Sequence, residues 1–447
     1  MKKVITIGTY DLLHQGHINL LRRAKELGDY LIVGVTNDNF DRERGKLNVR
    51  NNVLERVEAV KATGLADQII IEDYIGQKID DIQKYNIDIF AIGSDWEGKF
   101  DYLTEFCKVV YLPRTEGISS TMLRNESQDI VKVGIIGCGR IARRFVLETE
   151  FVNGVEITSV YDLKNEVSAN FAVKHRIPEV AKSIDDLFAE TDAVYVASPH
   201  LSHYEISKKA LSAQKHVLCE TPMVLDANEA CELYALAKEQ GVVLMEANKT
   251  AHCPAFNHLI VMIKSGLIGD VVDIEASLSQ LLDKNGREFD ASQAGGSMFE
   301  EGSYPLLPII KLLGIDYKSL KFYSKIENNI DVFTKGILTY DRATCSFKVG
   351  LGVKTEGNLV ISGTKGYAYV PAPWWKTDYF ELRYEDQNEN KKFFYKWDGA
   401  GLRYEIQEFV SCILNNRLTS ARFGVKESVC MATVMQQFMD RKNVMEL

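Results

Sequence analysis

The spacing of hydrophobic and polar residues divides the chain into three kinds of segment. Short apolar runs rich in β-branched residues, such as 2–7 and 131–136, predict buried strands. Segments whose apolar residues recur every three or four positions, such as 18–27, predict amphipathic helices. In the first half the two patterns alternate, which predicts parallel sheets covered by helices. Beyond residue 270, stretches of one-by-one alternation predict strands with one face towards the core.

The predicted elements form three series. The first has strands at 2–7, 30–35, 68–71 and 87–92, with helices at 18–27, 53–63 and 79–85. The second has strands at 131–136, 156–161, 193–197, 216–219 and 242–246, with helices that include 141–149 and 204–213. The third has strands at 272–279, 321–326, 336–340, 344–349, 359–362 and 380–384, followed by helices at 404–414 and 426–439.

Length and composition narrow the class of protein. The 447 residues are 46% hydrophobic and 26% charged, which is typical of a soluble globular protein with two or three domains. A net charge of −9 argues against a nucleic-acid binder. The eight cysteines, from Cys107 to Cys430, form no CxxC pair, which favours a reducing cytoplasm and indicates no metal site. Without an apolar run of about 18 residues or a visible targeting segment, we expect a cytoplasmic protein with small-molecule partners and no membrane contact.

Two histidines lie where the first predicted strand meets its helix. The turn GTYD at 8–11 is followed by His14, Gln15, Gly16 and His17. Two imidazoles flanking a glycine at a helix start can donate N–H groups to the same phosphoryl oxygens, and the glycine admits a close backbone approach. This pattern favours electrostatic stabilisation of phosphoryl transfer rather than nucleophilic catalysis. The alternative is a histidine pair that only caps the helix.

A second phosphate-binding pattern is RTEGISST at 114–121. Arg114 and a glycine turn precede Ser119, Ser120 and Thr121. These hydroxyl residues are suited to capping a helix whose free N–H groups can hold phosphate.

Three segments together resemble the glycerol-3-phosphate cytidylyltransferases of the HxGH nucleotidyltransferase superfamily: GTYDLLHQGHINLL (8–21), GSDWEGKFDYL (93–103) and LPRTEGISST (112–121). The similarity covers residues 1–126. It implies transfer of a cytidylyl group from CTP to a polyol phosphate by direct in-line attack, with Mg²⁺ on the triphosphate and pyrophosphate as the leaving group. ATP is the competing nucleotide, because related HxGH enzymes adenylylate other acceptors.

The resemblance also assigns residues. His14, His17, Lys46 and Arg114 would be catalytic, and Lys46 and Lys78 would bind the polyol phosphate. For Lys46, Lys78 and Arg44, the alternative is a solvated surface cation. The positions assigned to CTP are Gly8, Thr9, Tyr10, His14, Gly16, His17, Arg44, Arg114, Thr115, Gly117, Ile118, Ser119, Ser120 and Thr121.

A dinucleotide-binding turn opens the second series. GCGRIA at 137–142 lies between a predicted strand and a predicted helix, and Asp162 ends the next strand. A carboxylate there can accept hydrogen bonds from ribose hydroxyls and repels a 2′-phosphate, so NAD(H) is favoured over NADP(H). Lys164 nearby keeps NADP(H) as the alternative.

Three later segments resemble the Gfo/Idh/MocA oxidoreductases: ASPHLSHYEISKKAL (197–211), KHVLCETPMVLDANEA (215–230) and GTKGYAYVPAPWW (363–375). The resemblance spans about residues 130 to 447 and implies a Rossmann domain followed by an open, largely antiparallel sheet. The predicted fold is therefore α/β: a Rossmann-like HxGH domain at 1–126, a short linker at 127–130, an NAD(P)-binding Rossmann domain at 131–250 and an α+β substrate and oligomerisation domain at 251–447. Cofactor-binding positions would be Gly137, Cys138, Gly139, Arg140, Ile141, Asp162, Ser198, Pro199, His200, His203 and Glu220.

The catalytic pattern departs from that family at Thr221. Typical members have Glu-Lys-Pro where this chain has Glu-Thr-Pro, and a threonine supplies no cation and is a poor acid. Lys249, on the loop expected after the next strand, and Tyr304, where the family commonly has His or Tyr, are the predicted replacements. Glu300 stands where the family commonly has Asp, and with Thr221 it completes the predicted substrate site. The alternatives are a half-buried aromatic for Tyr304, a surface charge for Lys249 and a structural role for His252.

These assignments lead to one favoured function and two alternatives. The favoured hypothesis is a bifunctional enzyme: the second part reduces a sugar phosphate or small phosphorylated carbonyl to an alditol phosphate, and the first part activates that product with CTP. The resulting CDP-alditol would feed capsule or teichoic-acid-like synthesis. The alternatives are a non-redox binding or oligomerisation module behind an active cytidylyltransferase, and oxidation of the nucleotide-activated sugar. Both resembled families commonly assemble, so a homo-oligomer is expected.

Overall fold

The computed structural model describes residues 1–37, 40–41, 49, 51, 53–74, 76–113 and 130–447. The chain divides into two compact units, Met1–Asp129 and Ile130–Leu447. Of the linker predicted at 127–130, only Ile130 belongs to the described residues.

A five-stranded parallel sheet, with order β3-β2-β1-β4-β5, forms the centre of the first unit. Ligands of such sheets bind at the carboxyl edge where the strand order reverses, which here lies between β1 and β4. The sheet confirms the predicted α/β fold of this part. Its strands are β1 (Lys3–Gly8), β2 (Tyr30–Thr36), β3 (Gln68–Glu72), β4 (Ile89–Gly93) and β5 (Lys108–Leu112), and the helices described with them are Gln15–Lys25, Val53–Ala62 and Gln77–Tyr85.

Alternation along these strands builds a core on each face of the sheet. Val4 and Leu31 belong to the core on one face, and Ile5 and Ile32 belong to the core on the other. Burying one such side chain stabilises the fold by about 1.5–3 kcal/mol, so both faces need a helical cover. The turn at 8–11, which follows β1, is therefore anchored to a sheet that is packed on both faces.

The first helix begins at Gln15, three residues before its predicted start. His14 is its N-cap, and the Nδ1 atom of His14 accepts a hydrogen bond from the Gly16 backbone N–H at 3.1 Å. The apolar periodicity starts only at Ile18, whereas the cap fixes the true beginning. The histidine motif therefore lies at the helix terminus itself.

A six-stranded parallel sheet, with order β11-β10-β9-β6-β7-β8, opens the second unit. It confirms the predicted Rossmann-like arrangement, and the order reverses between β6 and β9. The strands are β6 (Val131–Ile136), β7 (Val155–Tyr161), β8 (Glu179–Val180), β9 (Ala193–Val196), β10 (His216–Glu220) and β11 (Leu244–Ala247). The helices are Arg140–Thr149, Asn165–His175, Ile184–Ala189, His203–Ser212 and Ala227–Gln240.

The remaining strands form one nine-stranded sheet, with order β19-β18-β17-β16-β12-β15-β14-β13-β20. Six of its pairs are antiparallel, while β12 with β15 and β13 with β20 are parallel, so the sheet is mixed. Its strands are β12 (Val271–Ser279), β13 (Ser319–Glu327), β14 (Ile330–Thr339), β15 (Thr344–Gly350), β16 (Leu359–Gly363), β17 (Tyr367–Val370), β18 (Tyr379–Arg383), β19 (Lys391–Phe394) and β20 (Val444–Glu446). The accompanying helices are Lys249–His252, Pro254–Lys264, Ser297–Glu301, Ser303–Leu313, Leu402–Leu414 and Val425–Met439.

The hairpin between β13 and β14 is longer than predicted. The expected strand at 336–340 in fact begins at Ile330. Asn328 and Asn329, with φ of +52° and +62°, form the two-residue turn, and asparagine tolerates this left-handed conformation well. In the described ranges, no helix combines the length and apolarity needed to cross a membrane.

Candidate active sites

The two histidines of the first unit face each other at the carboxyl end of β1. Their rings stack with centroids 3.8 Å apart and planes 24° apart. Because His14 Nδ1 accepts from the Gly16 N–H, the ring proton of neutral His14 resides on Nε2. A stacked pair at a helix N-terminus is an arrangement that can direct N–H groups at one phosphoryl group.

Tyr10 supports the second histidine. Its ring meets the His17 ring edge-on at a centroid distance of 5.5 Å, and its backbone has φ of +54°. Burial raises the pKa of the Tyr10 phenol well above its usual range, so Tyr10 stays neutral. Tyr10, which the resemblance assigned to CTP, thus contacts one ring of the histidine pair directly.

A buried ion pair behind this turn was missed by the sequence analysis. Arg56 Nη1 lies 3.1 Å from Asp41 Oδ2, and the two side chains are 0% and 1% exposed. The same Nη1 donates to the Thr9 carbonyl at 2.8 Å and the Thr36 carbonyl at 2.9 Å, at the ends of β1 and β2. Arg56 and Val60 are the buried residues of helix Val53–Ala62. The sequence contained one indication of this ion pair, because Arg56 occupies a position on the apolar face of its helix.

The predicted phosphate-binding cations of this unit have different outcomes. Lys78, in helix Gln77–Tyr85, forms an ion pair with the buried Glu72 and lies 5.7 Å from the Phe100 ring centroid. Its role towards polyol phosphate stays a prediction. Outside the described residues lie Arg44, Lys46, Arg114, Thr115, Gly117, Ile118, Ser119, Ser120 and Thr121.

The glycine turn after β6 has the shape of a phosphate cradle. Gly137 has φ of +97°, and a Cβ there would lie 2.7 Å from the Ala197 carbonyl oxygen. Gly139 is the N-cap of helix Arg140–Thr149, no side chain caps that helix, and a Cβ on Gly139 would meet nothing within 4 Å. Free helix N–H groups beside open space suit a dinucleotide pyrophosphate. The residues of this turn therefore fit the implied cofactor.

Asp162 lies at the position expected for a ribose ligand. Its Oδ2 accepts from the Cys138 N–H and its Oδ1 from the Lys164 N–H, each at 3.0 Å. These bonds fix the carboxylate beside the glycine turn, at the end of β7.

His203 joins the loops that follow β9 and β10. The ring is fully buried, with Nε2 2.8 Å from the Ser198 carbonyl and Nδ1 2.9 Å from the Pro222 carbonyl. Burial lowers the pKa of His203. These contacts hold the two loops together, and the cofactor contact predicted for His203 stays a prediction.

Thr221 uses its hydroxyl inside the protein. Its Oγ1 donates to Glu246 Oε1 at 2.9 Å, and Ser428 donates to the other oxygen of that buried carboxylate. Burial raises the pKa of Glu246. The predicted substrate contact of Thr221 stays untested, but its hydroxyl has a protein partner.

Lys249 and Tyr304, the two predicted replacements for the missing lysine, lie close together. Lys249 opens the short helix after β11 rather than lying on a loop; it is 8% exposed, and its Nζ is 6.0 Å from the Tyr304 ring centroid. Burial lowers the pKa of Lys249, and the Glu405 and Glu220 carboxyls oppose that change. Burial also raises the pKa of Tyr304 well above its usual range. The phenol is partly buried beside an ammonium with reduced proton affinity.

Glu220 and Glu405 complete this cluster. Tyr195 donates a hydrogen bond to Glu220, and burial raises the pKa of Glu220 to about 7. Burial raises the pKa of Glu405 well above its ordinary value, and in the described structure its Oε2 has no hydrogen-bond partner. Both carboxyls are therefore protonated more readily than an exposed glutamate. Glu405 was missed because it lies far along the chain, in helix Leu402–Leu414.

Glu300 has a partner that the sequence did not reveal. Arg287 Nη2 donates to Glu300 Oε2 at 3.0 Å, and Arg287 Nη1 lies 3.0 Å from Oε1. His200 Nδ1 is 3.8 Å from the same carboxylate, and burial lowers the pKa of His200 to about 3. Burial raises the pKa of Glu300 to about 6. The structure thus brings two predicted residues together around an unpredicted arginine.

His252 is separate from these contacts. It is fully buried, and neither ring nitrogen has a hydrogen-bond partner among the residues that the structure describes. Burial lowers the pKa of His252 to about 3. Among the described residues, no three His, Cys, Asp or Glu side chains are grouped so as to hold a metal ion.

Comparison with known proteins identifies both halves. The family model described as cytidylyltransferase-like matches residues 5–126, and the model described as an oxidoreductase family with an NAD-binding Rossmann fold matches residues 131–248. Glycerol-3-phosphate cytidylyltransferase of Bacillus spizizenii is 51% identical over 126 residues, which are 28% of this chain and 97% of that protein.

The second unit has relatives along its whole length. The NADP⁺-dependent scyllo-inositol 2-dehydrogenase of Bacillus subtilis is 28% identical over 320 residues, covering 69% of this chain and 96% of that protein. A 3-ketoreductase from Actinomadura kijaniata, solved with NADP and TDP-benzene, has the same fold, with a TM-score of 0.65 at 23% identity over 71% of this chain and 99% of that one. The chain therefore belongs to the cytidylyltransferase family through its first unit. Next along the chain follows an NAD(P)-dependent oxidoreductase of the Gfo/Idh/MocA family.

Proposed function

We propose that the chain makes a CDP-alditol in two reactions. The second unit reduces the carbonyl of a sugar phosphate or small phosphorylated carbonyl, giving an alditol phosphate. The first unit transfers CMP from CTP to that phosphate and releases pyrophosphate. Support comes from the related glycerol-3-phosphate cytidylyltransferase, whose name states a polyol phosphate as its substrate. The product would serve surface-polysaccharide or teichoic-acid-like synthesis.

Cytidylyl transfer relies on His14 and His17. Their stacked rings are suited to donate N–H groups to the phosphoryl oxygens as negative charge builds up in the transition state. The acceptor phosphate attacks the α-phosphorus directly, and no covalent enzyme intermediate forms. Mg²⁺, bound with the CTP triphosphate, supplies charge neutralisation on the leaving pyrophosphate.

The contact between Lys249 and Tyr304 is the observation that carries the reductase half. When bound, the reduced nicotinamide supplies a hydride to the substrate's carbonyl carbon. Tyr304 delivers its phenolic proton to the carbonyl oxygen, and Lys249 stabilises the phenolate that remains. The raised pKa of the partly buried Tyr304 is compatible with this role, because an alkoxide is a much stronger base than a phenolate.

Asp162 favours NAD(H) over NADP(H). Its carboxylate, fixed by the Cys138 and Lys164 N–H groups, can accept from ribose hydroxyls and would repel a 2′-phosphate. Glycine turn residues Gly137 and Gly139 would hold the pyrophosphate.

We also propose a homo-oligomer. The open face of the nine-stranded sheet carries partly exposed apolar residues: Val360 and Tyr369 pair across β16 and β17, and Tyr323 and Ile337 lie on the adjacent strands β13 and β14. Such a face is suited to pairing with a second copy of the chain.

One observation favours a different function for the second unit. Thr221 replaces the usual lysine, and its hydroxyl is engaged by Glu246. A unit without redox chemistry would act as a binding or oligomerisation module for the cytidylyltransferase.

A coupled assay separates these functions. The purified chain is given CTP, NADH or NADPH, and a panel of ketose and aldose phosphates, and pyrophosphate release is measured. We expect at least one carbonyl phosphate to release pyrophosphate only with reduced cofactor, while a ready-made polyol phosphate releases it without cofactor. Pyrophosphate release that never depends on reduced cofactor would contradict the proposal.

A further inference from the structure

Arg287 reaches from a long loop to the helix that carries part of the predicted substrate site. The loop, residues 280–296, joins β12 to helix Ser297–Glu301. Arg287 Nη2 donates to Glu300 Oε2 at 3.0 Å, and Arg287 Nη1 lies 3.0 Å from Glu300 Oε1. A guanidinium that meets both oxygens of a carboxylate fixes the direction of that group as well as its charge. Glu300 is therefore held in one orientation.

Glu300 lies one helical turn before Tyr304. Gly302, between them, has φ of −63° and ψ of −29°, so the backbone stays helical from one short helix into the next. Residues four apart on such a path share a face, with Cβ atoms about 5–6 Å apart. The carboxylate and the proposed proton donor can thus reach neighbouring oxygen atoms of one substrate.

His200 faces the same carboxylate from the loop after β9. Its Nδ1 atom lies 3.8 Å from Glu300 Oε1, which is too far for a hydrogen bond. Both atoms are buried, and among the described residues neither has a hydrogen-bond partner. Unpaired buried polar atoms are costly, so a pair of them calls for an explanation. A hydroxyl oxygen admitted by a small rotation of either side chain can lie about 2.8 Å from both atoms.

The neighbouring glutamate shows what the arginine contributes. Glu301 is buried as well, but its partner is neutral: Gln280 Nε2 donates to Glu301 Oε1 at 2.5 Å. Burial and the charge of Glu300 raise the pKa of Glu301 to about 8. Burial raises the pKa of Glu300 only to about 6, because Arg287 opposes the change. Near neutral pH, Glu300 is therefore the charged member of this pair of adjacent glutamates.

The other charged groups that face Glu300 do not replace the arginine. Glu288, from the same loop, opposes the effect of Arg287, and its Oε1 lies 3.7 Å from Arg140 Nη2. Arg140, from the helix after the glycine turn, lowers the pKa of Glu300 less than Arg287 does. His200 stays neutral, since burial lowers its pKa to about 3. Arg287 is thus the main cation that acts on Glu300.

We propose that Arg287 is a positioning residue of the oxidoreductase: it holds the Glu300 carboxylate beside His200, so that Glu300 Oε1 accepts a hydrogen bond from the substrate hydroxyl next to the carbonyl. Such a site favours a hydroxycarbonyl over the same carbonyl without that hydroxyl, because the deoxy compound leaves the buried oxygen unpaired. Arg287 acts through Glu300 and does not touch the substrate. This inference rests on the proposed function and narrows its substrate class.

Matched ketone phosphates test the assignment. NADH or NADPH oxidation is measured with dihydroxyacetone phosphate against hydroxyacetone phosphate, which lacks only the free hydroxyl, and with xylulose 5-phosphate against 1-deoxyxylulose 5-phosphate. At about pH 7, Arg287→Met and Glu300→Gln should each raise KM for the hydroxylated member about tenfold, with kcat within about threefold. KM for the deoxy member should stay unchanged. Lys284→Ala, which removes an exposed cation of the same loop, is the matched control and should change neither.

The pH profile separates positioning from a structural role. Without Arg287, Glu300 takes up its proton at higher pH, so the acidic limb of kcat/KM in Arg287→Met should move up by about one pH unit or more. Raising the pH above that limb should restore KM towards the wild-type value, whereas Glu300→Gln should stay impaired at every pH. Arg287→Lys keeps a cation but loses the paired contact, so its limb should stay near that of the wild type while KM rises about threefold. A loss in Arg287→Met that is the same at every pH, or that is equal for both members of a substrate pair, overturns the inference.

Binding tests the inference if the wild-type chain reduces none of these carbonyls, a result that would contradict the proposed function. Quenching of bound NADH fluorescence by glycerol 3-phosphate reports on the oxidoreductase and not on the cytidylyltransferase. Weaker binding in Arg287→Met that recovers at high pH, with Lys284→Ala unchanged, supports the inference. Equal binding in all variants, or a wild type that binds no NADH or no glycerol 3-phosphate beside it, overturns it.

Discussion

The Lys249 ammonium lies 6.0 Å from the centre of the Tyr304 ring, although 55 positions separate the two residues along the chain. Lys249 follows β11, and Tyr304 belongs to the helix Ser303–Leu313 that packs on the nine-stranded sheet. Their contact joins the parallel sheet that carries the glycine turn to the nine-stranded sheet. It places a cation beside a phenol, as the proposed reduction requires.

Replacing this pair should abolish reduction selectively. Tyr304→Phe keeps the ring and removes the proton, so kcat for carbonyl reduction should fall about 10²–10⁴-fold. Lys249→Met should lower kcat in the same direction. NADH binding by fluorescence and CTP-dependent pyrophosphate release from a polyol phosphate serve as controls and should persist. Unchanged reduction rates in both variants would remove these residues from the mechanism.

The histidine pair should control the other activity. His14→Ala or His17→Ala removes an N–H donor from the phosphoryl group, so cytidylyl transfer should slow at least about 10²-fold. Reduction of a carbonyl substrate by the same preparation should keep its rate. A variant with normal cytidylyl transfer would mean that the histidines serve only the helix start.

Arg56→Met should destabilise the first unit. The substitution leaves the buried Asp41 carboxylate without its arginine and frees the Thr9 and Thr36 carbonyls, at a cost of about 3–5 kcal/mol. Urea unfolding measures the change. The double variant Arg56→Met, Asp41→Asn should lose less than the single one, because no uncompensated charge remains. An unchanged unfolding midpoint in Arg56→Met would contradict this account.

The two glycines after β6 should respond differently to alanine. At Gly137, a Cβ meets the Ala197 carbonyl and φ is positive, so Gly137→Ala should cost about 1–3 kcal/mol of stability. At Gly139, a Cβ meets no protein atom, so Gly139→Ala should keep the stability and weaken NAD(H) binding where the pyrophosphate would approach. Thermal unfolding and NADH titration distinguish the two effects. Equal NADH affinity in Gly139→Ala and wild type would argue against a phosphate cradle.

His252 should make the second unit sensitive to acid. Burial lowers its pKa from 6.5 to about 3. Between these pH values the unfolded chain binds a proton that the folded protein does not bind, so the free energy of unfolding falls as pH falls from 6.5 towards 3. At pH 5 this group should cost about 2 kcal/mol relative to pH 7. His252→Leu should therefore reduce the loss of unfolding free energy between pH 7 and pH 5. An identical loss in both proteins would contradict the assignment.

The elements that local patterns specify were predicted well. β6 has the predicted bounds, and both parallel sheets follow from the alternation of apolar runs and amphipathic segments. Asp162 was expected at the end of a strand beside the glycine turn, where its hydrogen bond to the Cys138 N–H now holds it. Such features depend on spacings of a few tens of residues or fewer, which a sequence displays directly.

The partners of the site residues came only from the tertiary structure. Ser428 and Glu246 are 182 positions apart, and Arg403 and Glu148 are 255 positions apart. The sequence by itself determined two α/β units, a histidine pair at a helix start and a dinucleotide turn, because backbone hydrogen bonding and hydrophobic periodicity are local. Tertiary structure decided that Thr221 donates to Glu246, that Arg287 holds Glu300 and that Lys249 meets Tyr304, because packing in three dimensions determines which distant side chains share a buried, weakly solvated space.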